Sequence, residues 1–183
     1  MTDEIHPDPD RSKILFTYGV FGLSLILTLV PNVTVAGLSL AALLLTMILT
    51  YVFRKHAAED SLMHNHMTFI IRTIWIGGFL MIFTLIAGAG ILLYGVNNAP
   101  LQPCINQFMN SVNPDTLSVN DVDNLSSIFG ACMTPYISVN WIIFLISGIV
   151  AAGPILLYFF ARFARGFGRA MSGYRIAHPQ AWF

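Results

Sequence analysis

Between Arg72 and Arg162 the chain contains no lysine or arginine at all. That gap runs through two apolar stretches and one polar one, so cations are not spread over the surface as they would be in water. Charge of either sign is scarce: 10% of residues are Asp, Glu, Lys or Arg, while 56% are hydrophobic. A soluble domain carries roughly a quarter charged residues, so much of this surface faces hydrocarbon. The formal net charge is zero, which leaves no basic surface broad enough for a nucleic-acid partner. Cysteine is limited to two residues in 183. The first ten residues are acidic and carry Pro7 and Pro9; they lack the basic start of a signal peptide and read as a solvated tail.

What is present is a set of long apolar runs. A bilayer core of about 30 Å needs roughly 20 helical residues, fewer where Lys or Arg stems reach out at the ends. Residues 14–30, 33–53, 73–94 and 137–161 meet this, with Lys13 and Arg72 placed at the ends of the first and third. Pro31-Asn32 supplies a turn between the first two. All nine cations, Arg11, Lys13, Arg54, Lys55, Arg72, Arg162, Arg165, Arg169 and Arg175, then fall on one side. Basic residues near span ends are retained in the cytoplasm, which predicts both termini inside. The expected fold is therefore an all-α integral membrane protein: a four-transmembrane-helix bundle with an extracytoplasmic, disulfide-clamped helical hairpin between the third and fourth spans. The divisions are an inner tail at 1–13, three spans over 14–96 with an inner loop at 54–66, an outer loop at 97–136, a fourth span with its basic continuation over 137–165, and an inner tail at 166–183.

No Asp, Glu, Lys, Arg or His lies within the four apolar cores. Such a residue at a helix centre costs roughly 2.5–3.5 kcal/mol and usually marks a transport or relay function, so a chain that moves protons or ions by itself is not expected. The hydroxyls of Ser24, Thr28, Thr46 and Ser147 are expected to bond the preceding helical turn. Small residues recur at Gly77-Gly78, Ala87 to Gly90, and Ser147 to Gly153, where Gly148 and Ala152 have small-xxx-small spacing. Such residues let helices approach closely in lipid, within one bundle or between copies. Pro154 is expected to kink the fourth span.

The outer loop is polar but patterned. Ile105, Phe108, Met109 and Val112 follow helical spacing, as do Val119, Val122, Leu125, Ile128, Phe129 and Cys132. Asn113-Pro114-Asp115 signals a turn between them, and Ser118 with Asp121 resembles a capping start. Cys104 and Cys132 sit at the base of this hairpin. In an oxidising compartment two such cysteines pair, and closing about 28 residues removes roughly 3–4 kcal/mol of unfolded-state entropy. A redox-active or metal-binding pair is the alternative; it lacks Cys-x-x-Cys spacing and any histidine in the loop.

The inner loop concentrates His56, Glu59, Asp60, His64 and His66. His64 and His66 are about 200° apart on a helix and cannot share a metal there. His56, Asp60 and His64, at i, i+4 spacing, would share a face. Metal or pH sensing by this loop stands beside the simpler account of a solvated polar connection. After the fourth span, Phe160, Phe163 and Phe167 interleave with Arg162, Arg165 and Arg169. The rings are expected in the membrane interface and the guanidinium groups on lipid phosphates or a protein partner, each cation contributing about 1 kcal/mol at an acidic surface.

Two stretches carry a resemblance. Tyr51 to Ser61 continues through His66 to Ile71-Arg72-Thr73-Ile74-Trp75, and Gly173-Tyr174-Arg175 leads to Pro179, Trp182 and Phe183. These are similar to a group of small bacterial integral-membrane proteins, a domain-of-unknown-function family itself likened to a channel-type subunit of the chloroplast inner-envelope import machinery. That group shows a Ser-His pair before Ile-Arg-Thr-Phe-Trp and a closing Gly-Arg-Pro with Pro-x-x-Trp. Here Asn65 replaces the serine, Ile74 the phenylalanine, Tyr174-Arg175 departs from Gly-Arg-Pro, and the cysteine loop is an insertion. The resemblance implies a multi-pass protein of the bacterial inner membrane, with inner loop and tail meeting and Trp182 and Phe183 folded back on the inner ends of spans two and three. The function expected is a non-catalytic structural or accessory subunit of a larger inner-membrane assembly, requiring no cofactor, with membrane lipids and a protein partner as its contacts. An oligomeric channel or translocase subunit is the alternative, and a metal- or pH-sensing protein the second.

Overall fold

The computed structural model describes residues 10–111 and 119–179, which are helical with no strand among them. The elements are α1 (Arg11–Thr28), α2 (Val33–His56), α3 (Leu62–Gly95), a 3₁₀ turn at Ala99–Leu101, α4 (Gln102–Ser111) and α5 (Val119–Met171). The turn expected at Asn113 to Asp115, the capping start at Ser118, and Trp182 and Phe183 lie outside the described residues.

Three helices are long and apolar enough to cross a membrane: Val33–His56, Leu62–Gly95 and Phe129–Met171. α1 stands outside that set because its 18 residues open on two cations, Arg11 and Lys13. It nevertheless exposes large apolar side chains, with Phe16, Leu23 and Ile26 each more than half exposed.

Local signals account for the helix ends. Asn32 caps α2, its Oδ1 accepting from the amides of Thr34 at 2.9 Å and Val35 at 3.2 Å. Ser61 does the same for α3, its Oγ accepting from the His64 amide at 3.1 Å. α3 thus begins inside the expected inner loop, and His64 and His66 are helical rather than loop residues. α5 ends at Gly173, whose φ of +72° is the left-handed conformation that glycine reaches without penalty. The Tyr174 amide bonds the Arg169 carbonyl at 3.0 Å and the Gly173 amide bonds that of Ala170 at 3.1 Å, closing the last turn.

α5 differs most from expectation. It is one helix of 53 residues, more than twice what a bilayer core of roughly 20 residues requires. The second limb of the expected hairpin is continuous with the stretch expected to be a fourth span, and the helix runs through both Pro135 and Pro154. Proline removes one helical hydrogen bond but does not by itself end a helix whose sides are held elsewhere.

Tertiary contacts divide the chain between Ile82 and Phe83 and again between Gly153 and Pro154. In the unit made by 10–82 with 154–179, one stripe of α1, Ile14, Tyr18, Phe21 and Leu25, meets Met63, Met67 and Ile70 of α3 and Ala170 of α5. Phe163 and Phe167 pack on this core, stacked on each other with centroids 5.4 Å apart, and both are edge-on to Tyr18. These rings were expected in the membrane interface; they face inward because the stripe of α1 opposite them is aromatic. Such pairs contribute about 0.5–1.5 kcal/mol each beyond area burial. α1 and α2 form a hairpin tied near its turn, where the Thr28 and Ser39 hydroxyls meet at 2.7 Å and Ser39 Oγ donates to the Ser24 carbonyl at 2.9 Å.

In the unit 83–153, α3 approaches α5 closely at Gly88. A Cβ there would stand 2.9 Å from Ala151 Cβ, and Ser147 Oγ donates to the Gly88 carbonyl at 2.9 Å. Ser147 therefore reaches across to another helix instead of back to its own turn, as Ser24, Thr28 and Thr46 do. Gly148, half of the small-xxx-small pair, has nothing within 4 Å of a built Cβ. The close approach uses the adjacent residues. Cys104 of α4 and Cys132 of α5 form a disulfide, their Cα atoms 5.8 Å apart.

Candidate functional site

Polar side chains gather at the ends of α3 and α5 in the first unit, where a membrane protein can least ignore them. Arg162 is 4% exposed. It was expected on lipid headgroups beside Arg165 and Arg169, but it points inward because α3 offers it two partners. Its Cζ lies 3.9 Å from the Phe69 ring centroid, and its Nε donates to Thr73 Oγ1 at 3.1 Å. Thr73 in turn donates to the Phe69 carbonyl at 2.7 Å, so its hydroxyl proton is engaged and a lone pair faces the guanidinium. Phe69 and Thr73 are four residues apart and present one face. A desolvated cation over an aromatic face gains up to about 2 kcal/mol or more. Tyr158, four residues before Arg162, brings its ring centroid to 6.0 Å from the same Cζ. Arg165 and Arg169 remain exposed, Arg169 Nη1 donating to the Arg175 carbonyl at 3.1 Å.

His66 is fully buried and both ring nitrogens are engaged. Nε2 lies 3.1 Å from the Tyr174 carbonyl and Nδ1 lies 3.1 Å from the Tyr18 hydroxyl. A carbonyl can only accept, so Nε2 carries the proton and Nδ1 accepts from Tyr18. A Cβ on Gly166 would collide with the Tyr18 hydroxyl and with Phe69, so a glycine is needed where α5 passes these rings.

Next to His66, Asn65 grips the tail. Its Nδ2 donates to the Ile176 carbonyl at 3.0 Å and its Oδ1 accepts from the Ile176 amide at 2.8 Å. The amide side chain imitates a neighbouring peptide group and satisfies a buried residue's backbone in full. At the other end of the same tail turn, an Arg11 guanidinium N–H donates to the Met171 carbonyl, a cation at a helix C-terminus. The second unit repeats the asparagine device: Asn140 Oδ1 accepts from the Asn97 amide at 2.8 Å and its Nδ2 donates to the Asn97 carbonyl at 3.0 Å.

The four metal candidates are not brought together. His56 is exposed at the end of α2 with Nδ1 2.8 Å from the Val52 carbonyl, Asp60 is exposed, and His64 and His66 lie on different faces of α3. Among the described residues no three His, Cys, Asp or Glu side chains stand close enough to hold a metal ion. Sequence reasoning missed Asn65, Thr73, Tyr18 and Tyr158 as partners. Thr73 was visible only inside the Arg72-Thr73 motif, and Asn65 only as a departure from it.

What the cluster does chemically is to fix chain segments: each bond ends on a backbone group or on another member. Comparison with protein-family models, with curated proteins and with solved structures gave no match for this chain.

Proposed function

We propose that this chain is a non-catalytic membrane protein that acts as a structural or accessory subunit of a larger assembly in a bacterial inner membrane. In this proposal α1 is a fourth span, Lys13 and Arg11 reaching the headgroups from its start, and both termini are cytoplasmic by the one-sided distribution of cations. The observation that carries the proposal is the engagement of four buried polar side chains, His66, Asn65, Asn140 and Thr73. His66 has both nitrogens engaged, Asn65 and Asn140 each hold a backbone amide and carbonyl, and Thr73 both donates and accepts. Groups that a catalyst or carrier would hold ready for a substrate serve here to hold the fold. The outer disulfide supports the same reading, since a braced segment outside the bilayer presents a surface of fixed shape.

The experiment is isolation from native membranes in mild detergent followed by native mass measurement. The expected result is a complex in which this chain and at least one different protein occur in fixed proportion. A chain that is alone under every mild condition overturns the proposal. A ring of identical copies that conducts ions in planar bilayers overturns it in favour of an oligomeric channel.

A further inference from the structure

The tail that follows Gly173 is held to α3 by two neighbouring side chains, and one of them titrates. Asn65 bonds both backbone groups of Ile176, and the His66 Nε2–H donates to the Tyr174 carbonyl at 3.1 Å. His66 Nδ1 accepts from the Tyr18 hydroxyl at 3.1 Å, and the side chain is 0% exposed. This arrangement fits one charge state. With a second ring proton Nδ1 could only donate, and Tyr18 would have to turn its own hydrogen away inside a buried site.

Nothing around the ring favours a positive charge. α1, α2, α3, α5 from Asn124 onward and the tail contain no Asp or Glu. From α1 the ring meets Tyr18 edge-on, centroids 5.7 Å apart, while Arg11 of that helix bonds the Met171 carbonyl. From α5 the Arg162 guanidinium lies over Phe69, about one helical turn along α3 from His66, and Arg169 bonds the Arg175 carbonyl. α3 itself adds His64 and Arg72, the end of α2 adds Arg54, Lys55 and His56, and the tail adds the exposed Arg175 and His178. A charged imidazole would strengthen its bond to the Tyr174 carbonyl. A buried cation among cations, with no anion beside it, is penalised far more. Water relieves that penalty only where the cover opens. The weaker cover is the tail: residues 174–179 form no helix and only Ile176 among them is buried, whereas Tyr18 is packed against Phe163 and Phe167.

We propose that His66 makes this contact an acid-sensitive latch: while its ring is neutral residues 174–179 stay docked on α3, and a second ring proton releases them. The docked state excludes a proton that a solvated histidine takes up near pH 6.5. Docking is therefore at full strength above that pH and weakens as pH falls below it. For one proton the ratio of released to docked chain rises by up to about tenfold per pH unit. The latch is independent of whether the chain is an accessory subunit.

The test uses the purified full-length protein in detergent micelles, with a nitroxide on Ala177→Cys, an exposed tail position. The two native cysteines are bonded to each other, so the added thiol is the sole target. Label mobility is read by electron paramagnetic resonance from about pH 8 to about pH 5. The expected result is an immobile label at the upper end and a growing mobile fraction below about pH 6.5. His66→Gln keeps an N–H donor without a titrating ring, and its label mobility stays the same across the range. Tyr18→Phe removes the bond that favours the neutral ring and moves release to higher pH. A variant carrying His6→Gln, His56→Gln, His64→Gln and His178→Gln has His66 as its single histidine and keeps the parent response. A label whose mobility does not change with pH, a response that survives His66→Gln, or one that disappears in the single-histidine variant overturns the proposal. If His66→Gln does not fold, the single-histidine variant and the direction of the Tyr18→Phe shift decide.

Discussion

Asn65 holds Ile176 by both backbone groups, donating to its carbonyl at 3.0 Å and accepting from its amide at 2.8 Å, across 111 positions of sequence. One side chain thus decides where the tail lies after Gly173 turns it. Asn65→Leu keeps the volume and removes both bonds, leaving a buried amide and carbonyl unpaired. The expected loss is about 1–3 kcal/mol of stability, with new protease cleavage after Gly173. Thermal unfolding in detergent and mass analysis of limited digests check this. An unchanged midpoint together with an intact tail contradicts the finding's importance. Truncation of residues 174–183 is expected to destabilise at least as much, since it also removes the Tyr174 carbonyl from His66.

The Arg162–Phe69 contact, 3.9 Å from Cζ to ring centroid, is measurable as a coupling. Phe69→Leu keeps an apolar neighbour but loses the ring face, and Arg162→Lys keeps the charge but loses the plane and the Nε donor to Thr73. Each single substitution should destabilise, and the double should be milder than their sum by about 0.5–2 kcal/mol. Strict additivity in the double-mutant cycle would mean that the two groups are neighbours without interaction.

Glycine positions separate close approach from mere smallness. Gly166→Ala places a methyl against Tyr18 and Phe69, and Gly88→Ala places one 2.9 Å from Ala151 Cβ and 3.2 Å from the Ser147 carbonyl. Overpacking of this kind costs typically about 1–3 kcal/mol. Gly148→Ala meets nothing within 4 Å and should be neutral or slightly stabilising, because alanine is the better helix former. Thermal unfolding of the three variants decides. A Gly148→Ala loss as large as that of Gly88→Ala would show that the small-xxx-small pair is itself an interface, with another chain.

Much of this architecture is legible in the residues, and the exceptions have physical reasons. The apolar runs, the turn at Pro31-Asn32 and the Cys104–Cys132 pair follow from hydropathy, backbone preference and arithmetic on two cysteines. Arg162 was misplaced because its spacing to Arg165 and Arg169 describes direction around a helix and not depth along it. Within the first unit the buried stripe of α5 is Tyr158, Arg162, Gly166 and Ala170, one residue every four. Its aromatic, charged and small members give no apolar signal on a hydropathy scale. The continuity of α5 was hidden by Pro135, a reliable stop signal only where no neighbour holds the helix. His66 looked like part of a solvated loop because its two partners, Tyr18 and the Tyr174 carbonyl, are 48 and 108 positions away.

The disulfide is the point at which stability and orientation can be tested together. Cys104 and Cys132 close a loop of 28 residues, so on the chain-entropy account its reduction removes roughly 3–4 kcal/mol. Reduced protein, or a Cys104→Ser and Cys132→Ser double variant, should unfold at a lower temperature. The same cysteines report the side of the membrane. In sealed cells a membrane-impermeant maleimide added from outside should leave the oxidised protein unmarked and label both cysteines after brief reduction. A protease added outside should spare a tag at the C-terminus. Those outcomes follow if cations hold Arg54, Lys55, Arg72 and Arg162 to Arg175 on the inner face. If the maleimide misses both reduced cysteines while the protease removes the tag, the orientation is reversed, and the disulfide would then lie in a compartment where reductants keep thiols apart.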